Sequence, residues 1–355
     1  MEKKLVIIDG SSLLYRAFYA LPILSYNGIP TNAVMGFLNM LYDIYKKMDP
    51  EYVAVSFDKS KDTFRSELYK DYKSTRKPAP PELIPQFDLI REALRTLGAA
   101  VYEVAGYEGD DILGTLSAHY EKEMPVVIVT GDRDALQLSN EQTTVYITQK
   151  GVSRMAAMTP EAIFEKYHIT PRQVIDMKAL MGDTADNIPG VPGIGEKTAL
   201  KLLTEYKTLD NLYAHVSEVK GAVGKKLAEN KDLAYLSYNL ATIKKDVPFK
   251  FSLDEMKQPV HFSEMEDFFA RLGLTRISDK YSSLPRFKEL AAAKKEEIQT
   301  RSVKVETFTE DVSLEGKVAA LALQYEGKSP FYKATYAVVA LSLIHISEPT
   351  RRVVI

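Results

Sequence analysis

The sequence contains no cysteine and no tryptophan, and only five histidines among its 355 residues. Without thiols there is no disulfide framework and no thiolate zinc site, and scattered imidazoles leave little for a histidine-built metal site. Any metal must therefore be held by oxygen. Long hydrophobic runs are also missing. The opening MEKKLVIIDGSS turns acidic and polar after four apolar residues, too short for a signal peptide or a membrane span. A cytoplasmic location without membrane contact is expected.

What is present is ordinary globular material, 45% hydrophobic and 26% charged, long enough for two domains with a tail. The charge is unevenly spread. With nine carboxylates named below set aside, the formal charge of −2 becomes +7. A strongly negative site on a basic background suits a polyanionic partner.

The densest acidic stretch is GYEGDDILGTLSAHYEKEMPVVIVTGDRD, Gly106 to Asp134, with Glu108, Asp110, Asp111, Asp132 and Asp134. Its VVIVT run is short, apolar and β-branched, as in a buried parallel strand, and Asp132 and Asp134 follow where the strand ends. Glu108, Asp110 and Asp111 precede a helical pattern, where the helix dipole favours them. Leu5 to Ile8 is a second such strand, ending at Asp9, with Ser11 or Ser12 placed to cap a helix over LLYRAFYAL. Val53 to Phe57 is a third, ending at Asp58. Capping or turn formation explains any one of these acids. For all of them together that account fails, because a parallel sheet brings such strand ends to one rim, and carboxylates that close cannot all stay ionised without cations.

Further strands are expected at Val101 to Val104 and Val145 to Thr148, with a helix over 85–97 stopped by Gly98. The alternation predicts an α/β fold, a doubly wound, mostly parallel sheet, through about residue 150. KSKDTFRSELYKDYKSTRK, 59–77, places seven basic residues around Phe64, Tyr69 and Tyr72 and closes on PAPP. A solvated helix is one reading. The other is a single-strand binder, with cations for phosphates and rings for bases. Further on, Asp183 and Asp186 lie three apart at a predicted helix end, before Gly190, Gly193 and Gly195 and a helix restarting at Lys197. Such a turn aims backbone N–H groups at an anion, although no P-loop pattern is present.

DGSSLLYRAFYA, FDK, YKSTRKPAP, GYEGDDILGTL, TGDRD and GDTADNIPGVPGIGEKTA occur in one order, and together they resemble the 5′-nuclease domains of bacterial DNA polymerases I, in the flap endonuclease superfamily. The resemblance covers roughly residues 1 to 290. It implies a PIN-like α/β domain over 1–170 with an arch at 59–81, then a helical DNA-binding domain over 171–287 whose helix-three-turn-helix element spans 186–203. It also implies that Asp9, Asp58, Glu108, Asp110, Asp111, Asp132, Asp134, Asp183 and Asp186 hold two Mg²⁺ or Mn²⁺ ions. In the expected partition Asp9, Asp58, Glu108 and Asp110 take the first ion, and Asp110, Asp132, Asp134 and Asp186 the second, with Asp111 and Asp183 bound directly or in support.

Lys73 and Arg76 are expected at the scissile phosphate, Tyr72 stacked on the terminal base pair, and Arg16, Gly190, Gly193, Gly195 and Lys197 against DNA. Expected partners are DNA with a 5′ flap or nick and RNA/DNA primer junctions. The expected setting is replication and repair as part of DNA polymerase I, near the nucleoid, with the chain a monomer. A DNA-binding fragment without catalysis is the alternative. A phosphatase with an aspartyl nucleophile would want a second Asp where Ser11 stands.

The C-terminal part departs from the resemblance. Residues 288–305 read as a linker. Residues 306–340, with strands at Val318 to Tyr325 and Thr335 to Leu341, read as the start of a truncated ribonuclease H-like proofreading domain lacking its Asp-x-Glu. The two strands, without partners, are expected to be poorly ordered or badly paired. No polymerase activity is expected. Residues 341–355 are expected to be a non-native tail, since LSLIHISEPTR resembles a translated sequencing adapter.

Overall fold

The computed structural model describes residues 3–149, 154–257, 260–285, 287–288, 319–326 and 333–341. β1 (Leu5–Asp9) leads into α1 (Gly10–Ala20), a hairpin of β2 (Ser25–Tyr26) and β3 (Ile29–Pro30), and α2 (Asn32–Met48). Next come β4 (Tyr52–Ser56), α3 (Phe64–Leu68), α4 (Ile84–Thr96), β5 (Ala100–Tyr102), α5 (Gly109–Tyr120), β6 (Val126–Thr130), β7 (Thr143–Thr148) and β8 (Met155–Met158). Helices follow: α6 (Pro160–Tyr167), α7 (Gln173–Met181), α8 (Glu196–Tyr206), α9 (Leu209–Ala214), α10 (Gly221–Glu229), α11 (Lys231–Ala241), α12 (Leu253–Met256), α13 (Phe262–Arg271) and α14 (Thr275–Ser282).

The six-stranded sheet has the order β5-β4-β1-β6-β7-β8. Every pairing is parallel except β7 with β8. β1 and β4 are buried along their whole length and apolar up to their last residues, Asp9 and Ser56, as strands covered on both faces must be. The chain builds outward from β1 through β4 to β5, then returns to add β6 on the other side of β1. The β1/β6 boundary is thus the topological switch point, where the carboxyl ends of parallel strands open a crevice.

Residues Met1–Ala291 form one compact unit. One core lies between the sheet and α1, α2 and α4, and it also takes in Met265, Phe268, Phe269, Ile277 and Tyr281 from α13 and α14. Tyr281 fixes this return by donating its hydroxyl to the Leu38 carbonyl at 2.8 Å. A second core lies on the α5 side of the sheet, and a third is confined to the helices from α7 to α11. Among the described residues, no helix is long and apolar enough to cross a membrane.

In the separate unit Ala292–Ile355, β9 (Ala319–Glu326) and β10 (Lys333–Leu341) pair antiparallel with one irregularity between Ala334 and Tyr336. The two strands pair in register along most of their length. The linker 288–305 beyond Lys288, the remainder of 306–340 and the tail beyond Leu341 lie outside the described residues.

Capping departs from the local expectation in two places. Asp9, not Ser11 or Ser12, caps α1 by accepting the Ser12 N–H at 2.9 Å. The two serine hydroxyls instead accept the N–H groups of Asp58 and Gly131, tying the loops after β4 and β6 to the start of α1. At the start of α2, Thr31 makes no side-chain cap. The fully buried Gln86 of α4 accepts the Ala33 and Val34 N–H groups at 2.7 and 3.0 Å and donates to Asn32 and the Glu82 carbonyl. Replacing Gln86 by Leu leaves two buried helix N–H groups without acceptors. It should cost about 2–4 kcal/mol of stability in urea unfolding, whereas a surface change such as Lys257→Gln should cost less than about 1 kcal/mol.

Candidate metal centre

Three of the expected acids stand at the carboxyl ends of adjacent strands. Asp9 ends β1 opposite Ser56 of β4, Asp58 lies two residues beyond β4, and Asp132 lies two residues beyond β6. Asp9 is buried and receives hydrogen bonds from the Ser12 N–H and, at 2.6 Å, the Thr130 hydroxyl. That same hydroxyl accepts the Asp132 N–H at 2.9 Å, so Thr130 holds two acids at once. Asp58 accepts the Gly109 N–H at 2.8 Å, which docks the start of α5, and with it Asp110, against the rim.

These groups lie close enough to act on each other's charge. Burial, then Asp58 and Asp132, push the Asp9 carboxyl from 3.8 up to about 7, against the pull of its two hydrogen bonds. Asp110 is held well above its ordinary value by burial and by Asp9, Asp132 and Asp58, with Lys73 opposing.

The other acids carry internal counter-ions. Glu108 accepts Lys73 Nζ at 2.7 Å and the Tyr72 hydroxyl at 3.1 Å. Asp186 is ion-paired with Arg76, and its second oxygen accepts the Tyr72 hydroxyl at 3.4 Å, with Lys73 Nζ 3.9 Å away. Burial alone would lower the Lys73 ammonium and the Arg76 guanidinium, but Glu108 and Asp186 outweigh it and hold both above their ordinary values. On the far side of Asp132, Lys178 of α7 bridges Asp134 and Asp183. Asp134 is pushed up to about 7 by burial and by Asp132, although Lys178 opposes this. For Asp183, burial is outweighed by Lys178 and two backbone N–H groups, and its value is lowered.

Asp186 shares Tyr72 and Lys73 with Glu108, whereas Asp134 shares Lys178 with Asp183. Asp132, assigned to the second ion, acts electrostatically on Asp9 as well as on Asp134.

Asp111 plays a different part from direct ligation. It is fully buried, and both its oxygens receive the Arg65 guanidinium, at 2.7 and 2.8 Å. It also accepts the N–H groups of Glu108 and Lys244 at 3.0 and 2.8 Å, so it fixes the Glu108 backbone from behind. Arg65 is 2% exposed and donates further to the carbonyls of Leu240 and Thr242. Counted among the phosphate-facing cations by sequence, it is a buried structural charge.

The rings of this segment also turn inward. Tyr72, expected on a terminal base pair, is 8% exposed and packed with Ile188, Leu240 and Ala241, with Tyr69 partly buried beside it. Phe64 carries Arg65 and Lys244 on its faces. The apolar surface of α11 claims the tyrosines before any base can. Lys59, Lys61, Lys70, Arg76 and Lys77 remain exposed.

The hairpin between α7 and α8 anchors Val191 and Ile194 in the helical core and leaves Gly193, Gly195 and Lys197 outward. Gly190 is required where it stands: its φ is +63°, and a Cβ would come 2.2 Å from the Gly182 nitrogen. Gly193, at φ +77°, lies under Lys226, whose ammonium reaches its carbonyl at 3.4 Å. Gly195 is the N-cap of α8. Arg16 is half-buried on α1, away from the arch segment in sequence but on the helix that Asp9 caps.

Asp132, Asp134, Lys178 and Asp183 line a cavity of about 640 Å³ whose other wall is apolar, formed by Leu136, Ile169 and Val174 among others. Among the described residues, no three acids or histidines are arranged to hold a metal ion as they stand. The donor set nevertheless fits hard divalent ions, because carboxylates that raise each other's pKa lack cationic charge. Ligation by Glu108, Asp134, Asp183 or Asp186 requires Lys73, Arg76 or Lys178 to give way.

Residues 4–168 match the family described as 5′-3′ exonuclease, N-terminal resolvase-like domain, and residues 169–267 match 5′-3′ exonuclease, C-terminal SAM fold. Among solved structures, T5 5′-exonuclease with bound zinc shares the fold at TM-score 0.56 and 20% identity, covering 82% of this chain and 99% of its own. The catalytic core of Rad2 in complex with DNA substrate does so at TM-score 0.52 and 16% identity, covering 80% and 92%. Sheet, rim acids and helical hairpin therefore define a 5′-nuclease fold.

The chain belongs to the 5′-3′ exonuclease family. DNA polymerase I of Bacillus caldotenax is 47% identical over 298 residues, and that of Bacillus subtilis strain 168 is 42% identical over 316, covering 83% and 88% of this chain. The chain spans about a third of the length of these curated relatives, 34% and 35%.

Between the ordinary carboxyl value of 3.8 and about 7, folded Asp9 and Asp134 keep protons that the unfolded chain has already released. Stability without metal therefore falls as pH rises through that window, and Asp176, raised to about 6 by burial, adds the same sign. In EDTA, Tm should be lower at about pH 8 than at about pH 5.5, and Mg²⁺ should raise it more at the higher pH. Asp110→Asn removes one repelling charge. It should stabilise the metal-free protein by about 1 kcal/mol and shrink the Mg²⁺-induced shift.

Proposed function

We propose that this chain is a structure-specific 5′ nuclease that hydrolyses phosphodiesters at 5′ flaps, nicks and RNA primers, serving replication and repair as the 5′-nuclease part of a DNA polymerase I. The observation that carries the reading is the convergence of Asp9, Asp58, Asp110 and Asp132 at the β1/β6 switch point, charged against each other, with the basic 59–81 segment beside them. A phosphatase reading loses ground here, since Ser11, where a second aspartate would stand, serves instead as an acceptor for the Asp58 N–H.

Two divalent ions, Mg²⁺ or Mn²⁺, held by Asp9, Asp58, Glu108, Asp110, Asp132, Asp134, Asp183 and Asp186, would supply an activated water and stabilisation of the leaving oxygen in an in-line displacement. Asp111 and Arg65 brace Glu108. Lys73 and Arg76, already at the acids through Glu108 and Asp186, are within reach of a phosphate that enters the site and offset the charge that develops there. The N–H groups at the start of α8, with Lys197, face duplex phosphates, and Gly190 and Gly193 let the hairpin backbone make that approach. Arg16 contacts phosphate from α1. The protein works as a monomer in the cytoplasm, at the nucleoid.

A labelled 5′-flap duplex incubated with and without Mg²⁺ tests this directly. Cleavage near the single-strand to double-strand junction, dependent on the metal, is expected. Asp132→Asn should keep flap binding while the cleavage rate falls by at least roughly 10³-fold, and Lys73→Ala or Arg76→Ala should lower kcat by about 10²-fold. Unchanged processing by Asp132→Asn would remove the site from consideration.

A further inference from the structure

The turn Asp71–Arg76 carries the two cations that the proposed nuclease reading places at the phosphate. It is held by more than the acids. The Lys73 N–H donates to the Asp186 carbonyl at 2.8 Å. Asn187, next in the chain, donates its side-chain amide to the Asp71 carbonyl at 2.7 Å and to the Ser74 hydroxyl at 3.2 Å. Two consecutive residues of the α7–α8 hairpin thus grip both sides of Lys73.

Both partners are in an unusual backbone state. Lys73 has φ +55° and Asn187 has φ +54°, in the left-handed region that non-glycine residues enter at some cost and asparagine enters most readily. At 187 the chain must turn back so that the Ile188 N–H can reach the Asp183 carbonyl and its own carbonyl can accept the Asp183 N–H. An asparagine meets both needs, since it tolerates the turn and supplies a two-proton donor.

We propose that Asn187 is a positioning residue, a clasp that fixes the 71–76 turn to the hairpin and so sets where Lys73 and Arg76 stand relative to the acids. It touches no reacting atom. This inference rests on the nuclease reading for its catalytic consequence, but not for its structural one. A clasp that bonds to one carbonyl and one hydroxyl on either side of Lys73 constrains that residue's Nζ, 2.7 Å from Glu108, and the Arg76 guanidinium three residues further on.

Two variants separate the side chain from the backbone. Asn187→Gly keeps the left-handed turn and deletes the donor, and Asn187→Asp keeps shape and turn tolerance but cannot donate. Four readouts are taken on the full chain: Tm, the rate of trypsin cleavage after Lys70, Lys73 and Arg76 without DNA or Mg²⁺, single-turnover cleavage of a labelled 5′-flap duplex at saturating Mg²⁺, and Kd for a duplex lacking a 5′ flap. Both variants are expected to be nicked faster than wild type in the 70–77 turn and to cleave the flap roughly 10-fold more slowly, with Kd for duplex lacking a 5′ flap unchanged. Ser74→Ala, which loses only the longer bond, should show a smaller change of the same kind.

Wild-type trypsin patterns and flap rates in both variants would overturn the clasp. So would a rate loss that only tracks a fall in Tm and disappears on cooling, or faster nicking with a wild-type flap rate. If wild-type protein does not cleave the flap at all, the nuclease reading fails, while the trypsin arm still decides whether Asn187 holds the turn.

Discussion

Repulsion among carboxylates is the constraint around which this protein is built. Asp9 and Asp134 are pushed up to about 7, and Asp110 well above its ordinary range, because burial and neighbouring acids leave their charge poorly compensated. A fold that served stability alone would separate such groups. Instead the sheet order sets Asp9, Asp58 and Asp132 on adjacent strand ends, and the two serines of α1 tie those ends together through backbone N–H groups. The cost is met partly by Lys73, Arg76 and Lys178. These cations occupy the outer acids, Glu108, Asp134, Asp183 and Asp186, and leave the inner ones short of positive charge.

The buried Arg65–Asp111 pair is the mechanical counterpart of that charge cluster. Ion pairs out of water are seldom a net gain against an apolar packing, yet losing one partner costs about 3–5 kcal/mol because the other is stranded. Here every strong hydrogen-bonding direction of the pair is used: Asp111 takes Arg65, Glu108 N–H and Lys244 N–H, and Arg65 takes Leu240 and Thr242 carbonyls. Three stretches distant in sequence, around 65, 108–111 and 240–244, meet at one point. Glu108 inherits its position from that point, and Asp111, although it adjoins Asp110 in sequence, does work of a different kind.

The strand-end acids were legible from the sequence because a parallel strand announces itself as a short β-branched run and the residue that ends it is necessarily at the rim. Asp9, Asp58 and Asp132 follow from local pattern alone. Arg65, Tyr72, Gln86 and Lys178 do not, since what each does depends on partners up to 177 residues away. A basic residue amid basic residues gives no sign that it is buried, and so Arg65 read as a phosphate contact and Tyr72 as an exposed ring. Lys178 left a fainter trace, a charge placed five residues before Asp183 on a helix whose neighbours Ala179 and Leu180 are buried. The cap supplied by Gln86 and the return of α13 and α14 onto the first core are likewise long-range facts, invisible to periodicity.

One consequence of the geometry is that the basic turn and the helical hairpin cannot move independently. Asp186 offers its carboxylate to Tyr72 and Arg76 and its carbonyl to the Lys73 N–H, while Tyr72 is seated in the same apolar cluster as Ile188. A shift of the hairpin, which carries the N-terminus of α8, is therefore transmitted directly to Lys73 and Arg76, through packed atoms and hydrogen bonds with no intervening relay. The element whose exposed lysines suit a single strand and the element whose helix start suits a duplex backbone are fastened at the residue that also belongs to the acid cluster. On the proposed reading, that fastening makes recognition of a junction a property of the site itself: each half of the substrate, on binding its own element, acts on the same few side chains.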